Sequence, residues 1–88
     1  MSLPPETTKR LLPLKDVVVG AFTAENWNEL GILTGALEWL RNHPRLLRSL
    51  SWSDSDYSGH ALDALIRMVE VDEANFGVIE RYIEEKFG

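Results

Sequence analysis

The amino-acid sequence predicts an all-α protein, a compact bundle of five to six short helices. Apolar residues recur every three to four positions along most of the chain, which is the period of an amphipathic helix. No segment alternates between apolar and polar residues for long enough to indicate a strand. Prolines, glycines and helix-capping residues separate the apolar segments. The length of 88 residues, with 44% hydrophobic and 26% charged residues, fits one globular domain.

The N-terminal segment differs in composition from the rest. Residues 1–10 contain two prolines and show no apolar period, so they are predicted to be a flexible tail or linker. Residues 11–88 are predicted to form a single helical domain. Its first helix should bury Val18 and Phe22, with Pro13 tolerated because it lies near the first turn.

The next apolar stripe runs from Trp27 to Leu40 and is preceded by Thr23, a preferred N-cap residue. Its spacing fits one amphipathic helix, or two short helices bent at Gly31 or Gly35. Each glycine costs about 1 kcal/mol relative to alanine inside a helix. A close backbone approach or a turn is therefore expected at these glycines.

Two further apolar stripes complete the predicted bundle, after a short helix over residues 44–50 that begins with a proline. The middle helix should extend from about Tyr57 to Val71. Asp72 or Asn75 is expected to cap the last helix, and Gly88 to end it. The predicted core consists of nine apolar side chains: Phe22, Leu33, Leu37, Leu40, Leu47, Leu65, Met68, Ile79 and Ile83.

The residues that could support chemistry do not form a recognisable site. The chain has no cysteine, which excludes disulfides and thiolate metal ligands. The segment from Asp54 to Gly59 resembles the first half of a calcium loop, but Leu65 stands where a bidentate glutamate is required. His43 and His60 lack zinc-site spacing, and a partly buried structural role is expected for His60. We therefore predict no enzyme activity and no catalytic, cofactor-binding or metal-binding residue.

Charge is distributed unevenly along the chain. Residues 1–50 carry six basic and five acidic groups, whereas residues 51–88 carry three basic and nine acidic groups. The acidic total of −5 argues against a nucleic-acid partner. Opposite charges in the two halves could attract another protein domain or a second copy, although a charged surface can also serve only solubility. The candidate interface residues are Arg41, Arg45, Arg48, Trp52, Asp54, Asp56, Glu84 and Glu85.

Trp52 has two open interpretations, because it lies between serines in a polar segment. It either fills the bundle or forms an exposed aromatic anchor. The longest apolar run is three residues, so no membrane span is expected, and no signal peptide is recognisable. The predicted location is cytoplasmic.

Three stretches, residues 42–52, 56–62 and 72–80, resemble bacterial effector-associated, death-like (CARD-like) domains attached to proteases, NTPases and nucleases of immune and conflict systems. The similarity includes Phe22 at the end of an early helix, Tyr57 near the start of a middle helix, and the Asp72 and Asn75 spacing. Glu73 departs from it, since proline is expected after the aspartate. The resemblance implies a death-fold-like bundle without catalytic residues. It also implies homotypic adaptor contacts that recruit or cluster an effector.

An adaptor domain is therefore the predicted function, and the expected partner is another protein domain of the same fold, which includes a second copy of this chain. The alternative is a small acidic inhibitor, similar to an immunity protein or antitoxin, that blocks a basic toxin or nuclease by charge complementarity. These two functions differ in self-association, which the adaptor needs and the inhibitor does not.

Overall fold

The structure is a computed structural model, and it describes residues 4–43, 46 and 56–88. These residues form helices and no strand, which confirms the all-α prediction. The predicted helix over residues 44–50 lies outside the described residues except for Leu46, which is buried. The helices are α1 Pro5–Ala21, α2 Ala24–Thr34, α3 Leu37–Arg41, α4 Tyr57–Val71 and α5 Asn75–Phe87.

Helix α1 begins at Pro5, so the prediction of a tail over residues 1–10 is wrong from that residue onward. Proline suits the first helical position, because its fixed φ is helical and its missing N–H has no partner to lose there. The backbone N–H groups of Thr7 and Thr8 donate to the Pro4 carbonyl at 3.1 and 3.2 Å. Pro13 consequently lies inside the helix and not in its first turn.

The apolar stripe from Trp27 to Leu40 forms two helices, α2 and α3, and not one. This agrees with the predicted alternative of two short helices bent at a glycine. Thr23 caps α2 as predicted, since its hydroxyl accepts from the Asn26 N–H at 3.4 Å and the Asn26 side chain accepts from the Thr23 N–H at 2.8 Å. The helix ends at Gly35, whose φ of 77° is left-handed and favours glycine. Helix α3 follows this turn and packs against α2.

The bend at Gly35 also changes which face of α2 is buried. The core face consists of Trp27, Leu30, Gly31 and Thr34, with the i, i+3, i+4, i+7 spacing of one helical face. Leu33 belongs to another face and is 57% exposed, so its assignment to the core is wrong. The error arose because the sequence stripe continues through Leu33 only if the helix is not interrupted.

Gly31 is the point of closest approach between α2 and α3. A Cβ atom added there would lie 2.7 Å from Leu40 Cδ1 and 3.1 Å from Leu37 Cα. Gly31→Ala should therefore destabilise the domain, because overpacking of about 1–3 kcal/mol outweighs a helix-propensity gain of about 1 kcal/mol. Gly59→Ala is the control and should be neutral or stabilising, since its Cβ would meet no described atom within 4 Å. Urea midpoints measure both, and equal midpoints would contradict the close packing.

Helix α4 is the centre of the bundle and packs on α1, α2 and α5. Its buried face contains every apolar residue that the sequence pattern predicted for it: Tyr57, Ala61, Ala64, Leu65, Met68 and Val69. Of the other predicted core residues, Leu37 is half-buried and Leu47 lies outside the described residues. The remaining predicted core residues are confirmed as buried: Phe22, Leu40, Ile79 and Ile83.

Candidate interaction surface

An aromatic cluster fixes α2 against its neighbours. The ring of Phe22 packs edge-on against Trp27 at a centroid distance of 5.1 Å and against Tyr82 at 5.7 Å. The indole Nε1–H of Trp27 donates to the Tyr57 hydroxyl at 2.8 Å. These contacts join α2 to α4 and α5 through fully packed rings. This cluster sets the position of α2 relative to α5. The candidate interaction surface lies between these two helices.

A surface depression lies between α2 and the start of α5, and we call it the α2/α5 groove. Its volume is about 410 Å³. One wall is Leu33, and Ile32 beside it is 66% exposed. Single exposed apolar residues are ordinary, but two adjacent ones at the edge of an apolar groove are typical of a contact surface. The groove is lined by Leu33, Ala74, Gly77, Val78, Arg81 and Tyr82.

The hydroxyl of Tyr82, a residue that lines the groove, has its hydrogen-bond partners within the domain. The Tyr82 hydroxyl donates to Glu29 Oε1 at 2.8 Å and accepts from Asn26 Nδ2 at 3.1 Å. Burial raises the pKa of Tyr82 above its usual value; the nearby carboxylate of Glu29 raises this pKa further, while the bond from Asn26 lowers it. Tyr82 is therefore a neutral hydrogen-bond donor near pH 7, and what it presents to the groove is its ring.

Asn75 connects three helices at the end of the groove where α5 begins. Its Nδ2 donates to the Thr34 carbonyl and to the Met68 carbonyl, both at 2.8 Å. The Thr34 carbonyl belongs to the last residue of α2, where backbone acceptors lack helical partners, whereas the Met68 carbonyl also accepts from the Asp72 N–H at 3.4 Å. The Asp72 carboxylate accepts from the Ala74 N–H at 2.9 Å. The prediction that Asp72 or Asn75 caps the last helix is therefore wrong, because α5 starts at Asn75 without a side-chain cap. Asn75 instead donates hydrogen bonds to carbonyls near the ends of α2 and α4.

The helices that form the groove are predominantly acidic. Glu29 is half-buried and the other carboxylates on these helices are exposed. Together α2 and α5 carry five carboxylates and two cations: Glu25, Glu29, Glu80, Glu84 and Glu85, against Arg81 and Lys86.

The structure describes half of the interface residues predicted from sequence. Arg41 is exposed at the end of α3, and Asp56 is exposed directly before α4. Glu84 and Glu85 are exposed in the last turns of α5, the helix that lines the groove. The other predicted residues lie outside the described part of the chain: Arg45, Arg48, Trp52 and Asp54. Sequence reasoning missed the groove itself, because it assigned Leu33 to the core.

The family model for AbiJ N-terminal domain 5 matches residues 3–87. The chain belongs to this family. AbiJ N-terminal domain 5 is associated with abortive infection, a bacterial defence against phage, so the predicted context of a bacterial conflict system is confirmed. No curated protein and no solved structure gives a significant match. The resemblance to death-like domains stays a prediction.

The two histidines of this AbiJ N-terminal domain lie close together. The His43 ring packs 4.8 Å from the Trp39 ring and 5.5 Å from the His60 ring. His60 is half-buried, as expected. Among residues 4–43, 46 and 56–88, no group of three or more metal-ligating side chains comes together. The same residues include no helix that is both long and apolar enough to cross a membrane.

Proposed function

We propose that this AbiJ N-terminal domain is a non-catalytic adaptor that acts in the cytoplasm. It contacts another protein domain of the same fold and thereby recruits or clusters an effector in abortive infection. The observation that carries this proposal is the exposed Leu33 at the α2/α5 groove. A monomeric protein gains no stability from an exposed leucine beside an open apolar depression, whereas a contact surface does. The resemblance to death-like adaptor domains supports the same function.

The proposal also assigns the charged residues at the surface to the two sides of a homotypic contact. Arg41, with Arg45 and Arg48 outside the described residues, forms the positive side of a homotypic contact. Glu84 and Glu85 form the negative side, at the end of α5. Each exposed ion pair contributes only about 0–1 kcal/mol. Clustering therefore depends on several copies acting together.

Reversal of the positive side should weaken self-association while the fold is retained. Arg41→Glu, at one exposed position, is expected to weaken it by about two- to fivefold, and Arg45→Glu combined with Arg48→Glu to abolish clustering. An increase in salt from about 0.05 to about 0.5 M should act similarly, because the Debye length falls from about 14 to about 4 Å. Sedimentation velocity and light scattering measure the association, with circular dichroism as the test of folding.

A charge swap makes this experiment specific. The Arg41→Glu protein should regain association when it is mixed with a protein carrying Glu84→Lys and Glu85→Lys. Glu70→Lys is the matched control, because Glu70 is an exposed acid on α4. A wild-type chain that is monomeric at all concentrations, alone and with an effector-linked domain of the same family, would contradict the adaptor function. It would favour the acidic-inhibitor alternative.

A further inference from the structure

We propose that two copies of this domain dock groove to groove through the α2/α5 groove, about a two-fold axis. Arg81 of each copy then meets Asp72 of the other, and the apolar middles of the two grooves are in contact. The inference rests on the adaptor function proposed above, and it names the surface and the orientation of one homotypic contact.

The two ends of the groove carry opposite charges. Among the described residues that line it, Arg81 is the charged one. At the opposite end, the Asp72 carboxylate accepts a hydrogen bond from the N–H of the lining residue Ala74 at 2.9 Å. Ala74 and Arg81 are two helical turns apart, about 10 Å along the axis of α5. A cation at one end and a carboxylate at the other make the groove complementary to itself when one copy is turned end to end.

Both charges are available to a partner. Arg81 and Asp72 are exposed, and within the part of the chain that the structure describes neither forms an ion pair. A two-fold axis above the middle of the groove runs the two α5 helices antiparallel, so the cation end of each copy meets the carboxylate end of the other. These opposite charges favour a second copy as the occupant and fix its orientation.

The middle of the groove can accept an apolar side chain from the second copy. Ala74 and Gly77 are small and exposed, and a Cβ atom added to Gly77 would meet no described atom within 4 Å. Leu33 lines the groove from α2 and is 57% exposed, so in the docked pair it covers the open space above Gly77 of the other copy. The Tyr82 hydroxyl keeps both of its partners within the domain, so apolar contact here breaks no hydrogen bond of that hydroxyl.

This contact differs from the charged contact proposed above. A two-fold contact uses the same surface on both copies and closes at two copies. Glu84 and Glu85 lie beyond Arg81 on α5 and do not line the groove, so they stay exposed in the dimer. Clusters larger than two therefore still need the charged contact. A groove of about 410 Å³ supports a weak dimer, with a dissociation constant of roughly 10–1000 μM.

A cysteine at position 77 tests the two-fold axis, because the chain contains no cysteine of its own. Residues near a two-fold axis lie next to their own counterparts, and a disulfide needs two Cα atoms within about 4–7 Å. Gly77→Cys should therefore give a disulfide-linked dimer with oxidised glutathione, measured on non-reducing gels. Gly20→Cys is the control, since Gly20 is equally open and does not line the groove; it should cross-link at least about tenfold more slowly. Equal rates would overturn the two-fold docking.

Charge reversal tests the two ends of the contact. Arg81→Glu places two carboxylates at each end and Asp72→Arg places two cations there, so each variant alone should dimerise at least about tenfold more weakly. An equimolar mixture should form a heterodimer with nearly the wild-type affinity, because each end again pairs a cation with a carboxylate. Asp63→Arg is the control, since Asp63 is an exposed acid on α4 that does not line the groove.

Sedimentation velocity measures these dimers, and circular dichroism shows whether each variant is folded. A mixture that stays monomeric under conditions where the wild type dimerises would overturn the pairing of Arg81 with Asp72. Leu33→Asp should weaken dimerisation by roughly 10- to 100-fold by removing the apolar contact. Leu12→Asp is its control, because Leu12 is 42% exposed on α1, away from the groove lining. Equal losses for the two leucine variants would overturn the groove as the contact surface.

The protein with Arg45→Glu and Arg48→Glu separates this inference from the adaptor function. Its substitutions remove the charged contact and leave every residue named for the groove unchanged. Dimers that persist in this protein over about 10 μM to 1 mM would support the inference. A monomer in this protein, beside a wild type that clusters, would overturn the inference and leave the adaptor function standing. A wild type that forms dimers and nothing larger would support the groove contact and contradict clustering.

Discussion

Trp27→Ala should lower the free energy of unfolding by about 3–5 kcal/mol, the largest effect we expect from a single core substitution. Trp27 has no exposed surface, and its ring meets Phe22 edge-on. Its Nε1–H is the partner of the buried Tyr57 hydroxyl, which would lose that hydrogen bond. A domain of this size has a total stability of about 4–13 kcal/mol. Urea unfolding followed by far-UV circular dichroism measures the loss.

A double-mutant cycle separates the hydrogen bond from the packing. Trp27→Phe and Tyr57→Phe each leave one buried polar group without its partner, and each should cost about 1–3 kcal/mol or more. The double variant removes both polar groups, so its loss should be smaller than the sum of the two single losses. Trp39→Ala is the packing control, since Trp39 is only half-buried. A Trp27→Ala midpoint equal to that of the wild type would contradict the burial of the indole.

The sequence pattern predicted elements well where one helix has one uninterrupted apolar face. Helix α4 is the clearest case, because Ala61, Leu65 and Met68 follow the helical period and are all buried. The prediction that Thr23 caps α2 was also correct, because a capping residue hydrogen-bonds to backbone groups only a few positions away. Both features depend on neighbours within a few positions along the chain.

The features that the sequence did not reveal depend on contacts between distant segments. Leu33 continues the apolar stripe in sequence, but the left-handed turn at Gly35 removes it from the buried face. The groove next to it could not be predicted, because its two walls are more than forty residues apart in the chain and meet only through packing. Pro5 is another example, because a proline in the sequence can indicate either a flexible tail or the start of a helix. The hydrogen bonds to the Pro4 carbonyl show that a helix starts here.

The exposure of the charged side chains could be predicted from the sequence, whereas the apolar groove could not. Exposure of Arg41, Glu84 and Glu85 follows from their charge, because such groups are rarely buried without a partner. Their position relative to an apolar groove does not follow from composition. Leu33 and Gly77 line the same groove only because α2 and α5 are adjacent.

Asn75→Ala should destabilise the domain by about 1–3 kcal/mol, although the substitution removes only a small polar group. Asn75 Nδ2 donates to the Thr34 and Met68 carbonyls, and the side chain is 6% exposed. Loss of the amide leaves the Thr34 carbonyl without that donor, at a cost of about 1–3 kcal/mol, whereas the Met68 carbonyl keeps the Asp72 N–H as a partner. The effect should therefore exceed that of an ordinary surface substitution, which is within about 0.5 kcal/mol.

Asn75→Asp provides the sharper form of this test, because aspartate has nearly the same shape but no N–H donor when ionised. Its carboxylate would face the oxygen atoms of the Thr34 and Met68 carbonyls, so we expect a loss at neutral pH at least as large as that of Asn75→Ala. At low pH the protonated acid can donate one hydrogen bond, and the variant should recover part of its stability relative to wild type. Asn28→Asp is the matched control, since Asn28 is exposed on α2. Equal urea midpoints for the Asn75 and Asn28 variants would show that the contact between the ends of α2 and α4 does not stabilise the bundle.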